Sequence, residues 1–541
     1  MDHERLYFRG KRRPSVVAEA PISDQAPFFA SKRLGLIDNA PTSRAKLKVP
    51  SNLSLSVIVC TSRDNIGNTP IYEPNDDSAH WRTTALSTAS LWVMFSYCHL
   101  ACCRCYRWGS EVLARSGMTA PLYVHADPTQ VRVETAAYSA MVKNMGRTRA
   151  LHLQGGSNSY LEGLMASAAS APALEKVCIG HHTTEISTFP FHRQCPRLNE
   201  LRLRARVENF DWGSLYHFSQ LRTLEIHDTI DDFAHGFPGV VRAIDGMRAL
   251  ENLDLQLEVP GFDPRCERNF CASLPSLKRF FLSANADVCL GLLSCLRFDR
   301  TRVNLSLNVL DDEEDLTTDV LRRLVALCQA EDDPDDTQPR ASPHGPFFNL
   351  DGGDCSFSIE SDYDAVCLCF KYIPASDNRP SLELNCWALM DQAGALFASF
   401  AAVLPVASAT SLAVGGCARA ANWPKTLHDV FRHLPALQKF KLINTSREGS
   451  RAVFASLWPR DDGTLPAPML RKIAVGGSWN DRECPSLEAL RDCIVARRAQ
   501  GQGSCQIRRI VCGSNCELVA HEVGCLRDLG IHVCWMPHLF L

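Results

Sequence analysis

Cysteine, histidine and clustered carboxylates are the side chains here with the most chemistry to offer. Cys98, Cys102, Cys103 and Cys105 stand close together beside His99, and Cys102 and Cys105 have the C-x-x-C spacing of a metal-binding pair. A structural zinc takes four ligands, usually from two separated pairs. No second C-x-x-C answers this one, so the cluster is expected to be thiols without a metal. Cys512-Gly513-Ser514-Asn515-Cys516 has one residue too many for a thiol-protease nucleophile loop and leaves no room downstream for a distant His. It is expected to be a strand and a turn. His181-His182 and His192 are expected in solvated loops. No G-x-x-x-x-G-K-[ST] or G-x-G-x-x-G joins a strand to a helix. Gly155-Gly156 and Gly476-Gly477 instead follow strands, where a turn needs glycine. The acidic runs Asp311–Asp315 and Asp332–Asp336 are expected to be solvated. The sequence therefore nominates no catalytic residue, no cofactor and no metal, and predicts a non-catalytic protein.

The elements that would position any site follow from composition and period. The 541 residues are 45% hydrophobic and 22% charged, ordinary values for a folding chain. A net charge of −3 gives no global pull towards nucleic acid or an anionic membrane. No apolar run reaches the roughly 18 residues of a membrane span, and Met1–Pro14 lacks the apolar core of a signal peptide. A cytoplasmic or nuclear location is expected, with the 24 cysteines mostly acting as small buried hydrophobes. Residues 1–50 carry ten Lys or Arg against five Asp or Glu and no periodicity, and are expected to be a disordered basic tail. Lys11-Arg12-Arg13-Pro14 has the form of a nuclear signal. Gln329–Pro346, acidic and with four prolines, is expected as a loop inserted into the folded part.

An internal repeat runs through the rest. Its template is apolar, two variable, apolar, one variable, apolar. Seven copies stand out: Leu174-Val177-Ile179, Leu198-Leu201-Leu203, Leu221-Leu224-Ile226, Leu250-Leu253-Leu255, Leu277-Phe280-Leu282, Leu437-Phe440-Leu442 and Leu470-Ile473-Val475. In five a proline comes two places earlier: Pro172, Pro196, Pro275, Pro435 and Pro468. Weaker copies are expected at Leu151-Leu153, Leu305-Leu307, Leu382-Leu384, Leu412-Val414 and Ile507-Ile510. The last two apolar positions face one side of a strand. The spacing of about 25 residues leaves room for one strand and one helix, the usual crossover between parallel strands. Leu427, Val430, Phe431 and Leu434 share a helical face, as do Leu316, Val320, Leu324 and Leu327, and Leu487, Leu490 and Ile494. The prediction is an α/β solenoid with a parallel sheet on the concave face and helices on the convex face, its repeats stacking because none can bury its own apolar side.

The template resembles the long, irregular leucine-rich repeats of fungal-type F-box/leucine-rich-repeat proteins, over roughly residues 148–515. The family's asparagine position holds His182, Arg206, Thr229, Glu258, Asn285, Thr445 and Ser478, so only one copy keeps it. Upstream, Trp81-Arg82-Thr83-Thr84-Ala85-Leu86, followed by Leu91-Trp92, resembles the second half of an F-box. Glu111–Gly117 and Pro121–Val124 match its usual continuation into a strand. The first half departs from the pattern: Leu53–Pro70 holds Gly, Asn and Pro where a helix is expected, so the F-box is degenerate or truncated. The resulting division is a basic tail over 1–50, a degenerate F-box-like segment and connector over 51–127, and the solenoid over 128–541, with an acidic insertion near 329–346.

The resemblance implies a monomeric substrate receptor of a cullin-type (SCF) ubiquitin ligase. Trp81, Arg82, Leu86, Leu91 and Trp92 would hold a Skp-type adaptor, and the repeats would present a target protein. The alternative is a repeat scaffold whose F-box is lost and which has no ubiquitin role. In either case the residues between the apolar positions point to the open side of the sheet. Arg202, Arg204, Glu225, His227, Asp254, Phe281, Lys439 and Lys441 are the expected partner-binding residues, with Cys178, Arg202, Glu225, Asp254, Phe281, Lys441 and Ala474 in one row. Lys439, Lys441, Arg471 and Lys472 make its C-terminal end locally basic.

Overall fold

A short turn before each strand sets the spacing of the whole array in the computed structural model. The first apolar residue of every strong repeat donates its N–H to the carbonyl three residues back. These bonds are Leu174→Ala171 at 3.1 Å, Leu198→Cys195 at 3.1 Å, Leu221→Phe218 at 2.9 Å, Leu250→Met247 at 2.9 Å, Leu277→Leu274 at 3.3 Å, Leu437→Leu434 at 3.2 Å and Leu470→Ala467 at 3.2 Å. The recurrent proline occupies the second position of this turn, where its fixed φ is favourable and its missing N–H costs nothing. The residue that opens each turn is itself buried: Ala171, Cys195, Phe218, Met247, Leu274, Leu434 and Ala467. The repeat is therefore longer than its strand template by one buried position.

The structure describes residues 83–84, 88, 94–97, 113–126, 136–154, 171–186, 195–208, 212–230, 236–258, 271–300, 302–310, 317–329, 354–362, 365–373, 381–389, 393–404, 406–415, 423–443, 447–476, 486–500, 506–513 and 520–535. The chain divides into two units, Met1–Gly67 and Asn68–Leu541, and all of these residues belong to the second. The expected basic tail, the cysteine cluster at 98–105 and the 329–346 insertion beyond Gln329 lie outside them.

Seventeen strands form one sheet. In chain order they are β1 Met94–Tyr97, β2 Leu122–Ala126, β3 Thr148–Gln154, β4 Lys176–Ile186, β5 Glu200–Glu208, β6 Thr223–Ile230, β7 Asn252–Glu258, β8 Arg279–Ala284 and β9 Asn304–Val309. Then come β10 Asp354–Asp362, β11 Ala365–Ile373, β12 Leu382–Leu389, β13 Ser411–Gly415, β14 Lys439–Ile443, β15 Lys472–Val475, β16 Arg509–Cys512 and β17 His532–Trp535. From β1 to β9 each strand pairs in parallel with the next. From β13 to β17 the same rule holds. Two of these strands, β1 and β2, lie in the segment expected to be an F-box-like connector. His181 and His182, expected in a loop, belong to β4.

The middle breaks the pattern. β9 pairs in parallel with β12, not with β10. β12 pairs antiparallel with β11, β11 antiparallel with β10, and β10 in parallel with β13. The spatial order there is β9-β12-β11-β10-β13, so a three-strand meander enters the ribbon backwards. Only its middle strand runs against the others. The meander also moves the register. The row through Asp254 and Phe281 continues through Ser306, Glu383, Lys371, Ser356 and Ser411 to Lys439. Lys441 therefore lies two residues off the row it was expected to share with Phe281.

Helices supply crossovers mainly in the second half. They are α1 Ala136–Lys143, α2 Gly236–Asp245, α3 Ala286–Cys295, α4 Thr318–Gln329, α5 Ala393–Val403, α6 Trp423–Arg432, α7 Arg447–Ser456, α8 Leu487–Ala499 and α9 Ala520–Asp528. Among the described residues, the connector from β5 to β6 carries a 3-10 turn, Trp212–His217, and no α-helix. Asn285, the one copy of the family's asparagine, caps α3: its side chain accepts the Val288 N–H at 3.0 Å. All three template residues of each strong copy are buried, together with Leu427, Val430 and Phe431 of α6 and Leu490 and Ile494 of α8, in one continuous core. Each such side chain contributes about 1.5–3 kcal/mol. Eight of the described cysteines are buried, and none of the described ones is in a disulfide. Burial pushes the Cys195 thiol up to about 11 and the Cys328 thiol to about 12. Among the described residues no helix is long and apolar enough to cross a membrane.

Candidate functional site

Side chains alternate along a strand, so the residues between the buried Leu and Ile positions emerge on the opposite, open face. On β5 these are Glu200, Arg202 and Arg204; on β6, Glu225 and His227; on β7, Asp254. Backbone register places them side by side: Cys178 pairs with Arg202, Arg202 with Glu225, Glu225 with Asp254, and Asp254 with Phe281.

Glu225 is the hub. It is 5% exposed, although it lies on the open face. Its Oε1 accepts from Arg204 Nε and lies 3.3 Å from His227 Nε2, and its Oε2 is 3.6 Å from Arg202 Nε. His227 Nε2 is also 3.2 Å from Asp254 Oδ1. Arg202 and Lys176 both reach Glu200, each at 2.8 Å. Burial pushes the Glu200 carboxyl up, but Lys176 and Arg202 together hold it below the usual carboxylate value. Three permanent cations thus face three carboxylates, with His227 between two of the latter. The cations keep much of their side chains in solvent, and only Glu225 is taken out of it.

Glu225, His227 and Asp254 bring one ligand atom each to within 4.8 Å of one another, a spacing that a divalent cation could bridge. The Glu225 oxygen nearest His227 is, however, the one that Arg204 already holds, and Arg202 lies against the other. Protein cations satisfy this carboxylate from both sides, and the trio works as part of a closed ion-pair network.

The network grades into different chemistry on either side. Towards β2, His125 and His152 lie against each other with ring centroids 4.6 Å apart and their planes tilted by 43°. Burial, then His125, Arg204 and Arg202, lowers the His152 pKa. Towards the meander, Phe281 is half-buried beside Asp254. Beyond it, Trp387 Nε1 donates to Asn308 Oδ1 at 2.9 Å, and Asn308 Nδ2 donates to Ser283 Oγ at 2.8 Å. Lys371 and Glu383 pair at 3.3 Å.

Of the residues nominated from sequence, the structure brings Arg202, Arg204, Glu225, His227 and Asp254 into one network, with Phe281 beside it. Lys439, exposed, and Lys441, half-buried, lie on β14, beyond the meander. Trp81, Arg82, Leu86, Leu91 and Trp92 lie outside the described residues. Around them Thr83 and Thr84 are helical, and Thr88 Oγ1 donates to the Thr84 carbonyl at 2.7 Å. His125, His152, Trp387 and Arg509 were not singled out from sequence. The alternation in Leu122-x-Val124 and Leu151-x-Leu153 is the signal that would have put the two histidines on the open face.

No family model matches the chain, and no curated protein matches it. Among solved structures, a crystal structure of a TLR13–ssRNA13 complex is similar at a TM-score of 0.29 and 11% identity, covering 74% of this chain and 53% of that one. The chain thus spans about half the length of that neighbour. A likeness at this level carries no argument about function, and the fold rests on the strands and their register.

Proposed function

We infer that the chain is a non-catalytic protein-binding scaffold whose open sheet face, centred on β5–β8, is the partner surface. The observation that carries this reading is the juxtaposition of a fixed charge network, Arg202–Arg204–Glu225–His227–Asp254, with the half-buried ring of Phe281. An ordered polar array beside an aromatic anchor is the composition of a recognition surface. The charges sit on strands, whose backbone is held on both sides, and so cost little to order on binding.

The finer reading is a monomeric, cytoplasmic or nuclear substrate receptor of a cullin-type ubiquitin ligase. The F-box-like segment with Trp81, Arg82, Leu86, Leu91 and Trp92 would hold a Skp-type adaptor while the sheet presents the target. Its support is the sequence resemblance alone. The departure from the F-box pattern at Leu53–Pro70 favours the second reading, a scaffold without an adaptor. A binding assay between the full chain and a purified Skp-type adaptor separates the two. The receptor reading expects binding that Trp81→Ala/Leu86→Asp abolishes and that Arg204→Glu/Phe281→Asp leaves intact. Absence of binding by the parent chain removes the ligase role and leaves the scaffold. For the scaffold itself, Arg204→Glu/Phe281→Asp should abolish capture of an identified partner while circular dichroism shows the fold retained, with a lowered melting midpoint because Arg204 covers the buried Glu225. A partner that binds this variant as well as the parent would move the surface elsewhere.

A further inference from the structure

The two halves of the open face treat charge differently. From β4 to β7 the cations are matched by carboxylates on the same or the neighbouring strand, and at the meander Lys371 meets Glu383. Past the meander this matching stops. The row that carries Phe281 emerges on β14–β17 as Lys439, Lys472, Arg509 and His532, each directly opposite the next. Arg471 and Arg508 flank it at the entrance to β15 and β16 and are exposed. Among the described residues, Lys439, Lys472, Arg508 and Arg509 take part in no ion pair. Like charges directly opposite one another on adjacent strands destabilise a sheet. Three consecutive permanent cations in register therefore weaken this part of the array, and nothing within the described fold offsets the cost.

We propose that the Lys439–Lys472–Arg509 row is a docking strip for an acidic, extended segment of a partner protein, which crosses β14–β17 and neutralises the row. This rests on the reading of the open face as the partner surface and names the chemistry that one end of it recognises. Neighbouring strands are about 4.8 Å apart, so the three cations on β14–β16 span about 10 Å. An extended chain presents same-side residues about every 6.7 Å, so Asp or Glu at three alternate positions, about 13 Å, covers the row with a little to spare at each end. The long Lys and Arg stems absorb the remaining mismatch. A single-stranded nucleic acid suits the strip less well. Proteins that bind such strands interleave stacking aromatics with cations. Neither this row nor the parallel one through Lys441, Ala474 and Val511 contains Phe, Tyr or Trp.

The test is a fluorescence-anisotropy titration of the full chain with a labelled peptide of about twelve residues that alternates Asp and Ser. It is run at about 50 mM and about 300 mM salt, with an oligothymidylate of similar length and a Lys/Ser peptide in parallel. Saturable binding of the acidic peptide is expected, weaker by roughly tenfold at the higher salt. Lys472→Glu should weaken it by at least about tenfold while raising the melting midpoint, because it replaces a repulsive rung by an attractive one. A purely structural role for the row predicts the opposite shift in melting. The proposal is overturned if the parent does not bind the peptide, if Lys472→Glu binds it equally well, or if the oligothymidylate binds more tightly. A partner that still depends on Arg204 and Phe281 in any of those cases would leave the scaffold reading standing and remove only the strip.

Discussion

At the scale of single residues, the open face gains its definition from groups that are half out of water. Glu225 can be buried at a sheet surface because Arg202, Arg204 and His227 cover it, and because each keeps part of its own side chain in solvent. Exposed ion pairs contribute little individually, so the network's value lies in fixing geometry. His152, beside it, leaves a measurable trace. Burial, His125 and the two arginines lower its pKa from the ordinary 6.5, so below that pH the unfolded chain binds the proton more readily than the folded one. Stability contributed at neutral pH is therefore lost as pH falls through the window below 6.5. Glu200, held below the ordinary 4.5, adds a further loss at lower pH, when it too protonates. Melting midpoints should fall between about pH 7 and pH 5, and His152→Gln should flatten that slope. An unchanged slope in the variant would remove His152 from the account.

At the scale of the element, each strand is set by the turn that precedes it. The N–H bond from the first template residue closes that turn, and proline at its second position reduces the freedom the unfolded chain must lose. The repeats without this proline give the sharper test. Arg248 occupies the second position of the turn Met247–Leu250, is exposed, and donates no backbone bond among those described. Arg248→Pro should stabilise the protein by about 0.4–1 kcal/mol, and Pro275→Ala should cost a similar amount. Urea midpoints that move with an unchanged m-value check both. A loss of stability in Arg248→Pro would mean that this turn does not have the geometry of its relatives.

Element scale is also where the sequence was most legible and where its legibility stopped. The template positions were readable because burial there is nearly complete: Leu221, Leu224 and Ile226 are 0% exposed. The same alternation put Arg202, Glu225, Asp254 and Phe281 on one row without any need for the structure. The meander escaped for a physical reason. Val366, Leu368, Phe370 and Tyr372 alternate as any strand does, and an alternation of period two reads the same in either direction. What betrays the reversal is the two-residue link between Asp362 and Ala365, too short for a parallel crossover. The two-residue shift of register across the meander could not be seen from local pattern, because it is a property of pairing. The charge network itself was legible only as a list of residues. That Glu225 is its hub depends on which neighbours lean over it.

At the scale of the molecule, the meander is the joint between two parallel arrays. In such arrays each unit is held by its neighbours, so β3–β9 and β13–β17 are coupled only as well as the elements between them allow. Among the described residues, two connections cross the joint. One is the sheet itself through β12, β11 and β10. The other is the packing of α4 on α5, where Thr318 Oγ1 and Ser399 Oγ lie 2.8 Å apart. Phe370, fully buried in the middle strand of the meander, faces Phe357 on one side and Leu384 on the other. Phe370→Ala should cost about 3–5 kcal/mol at the joint. It should lower the cooperativity between the arrays more than the stability of either. Hydrogen exchange should show β10–β12 losing protection first, with β3–β7 keeping theirs, and urea unfolding should separate into two transitions. A single transition, shifted but undivided, would mean that the helices carry the coupling. In that case the Thr318–Ser399 contact, not the reversed strand, would be the element that makes the two arrays one body.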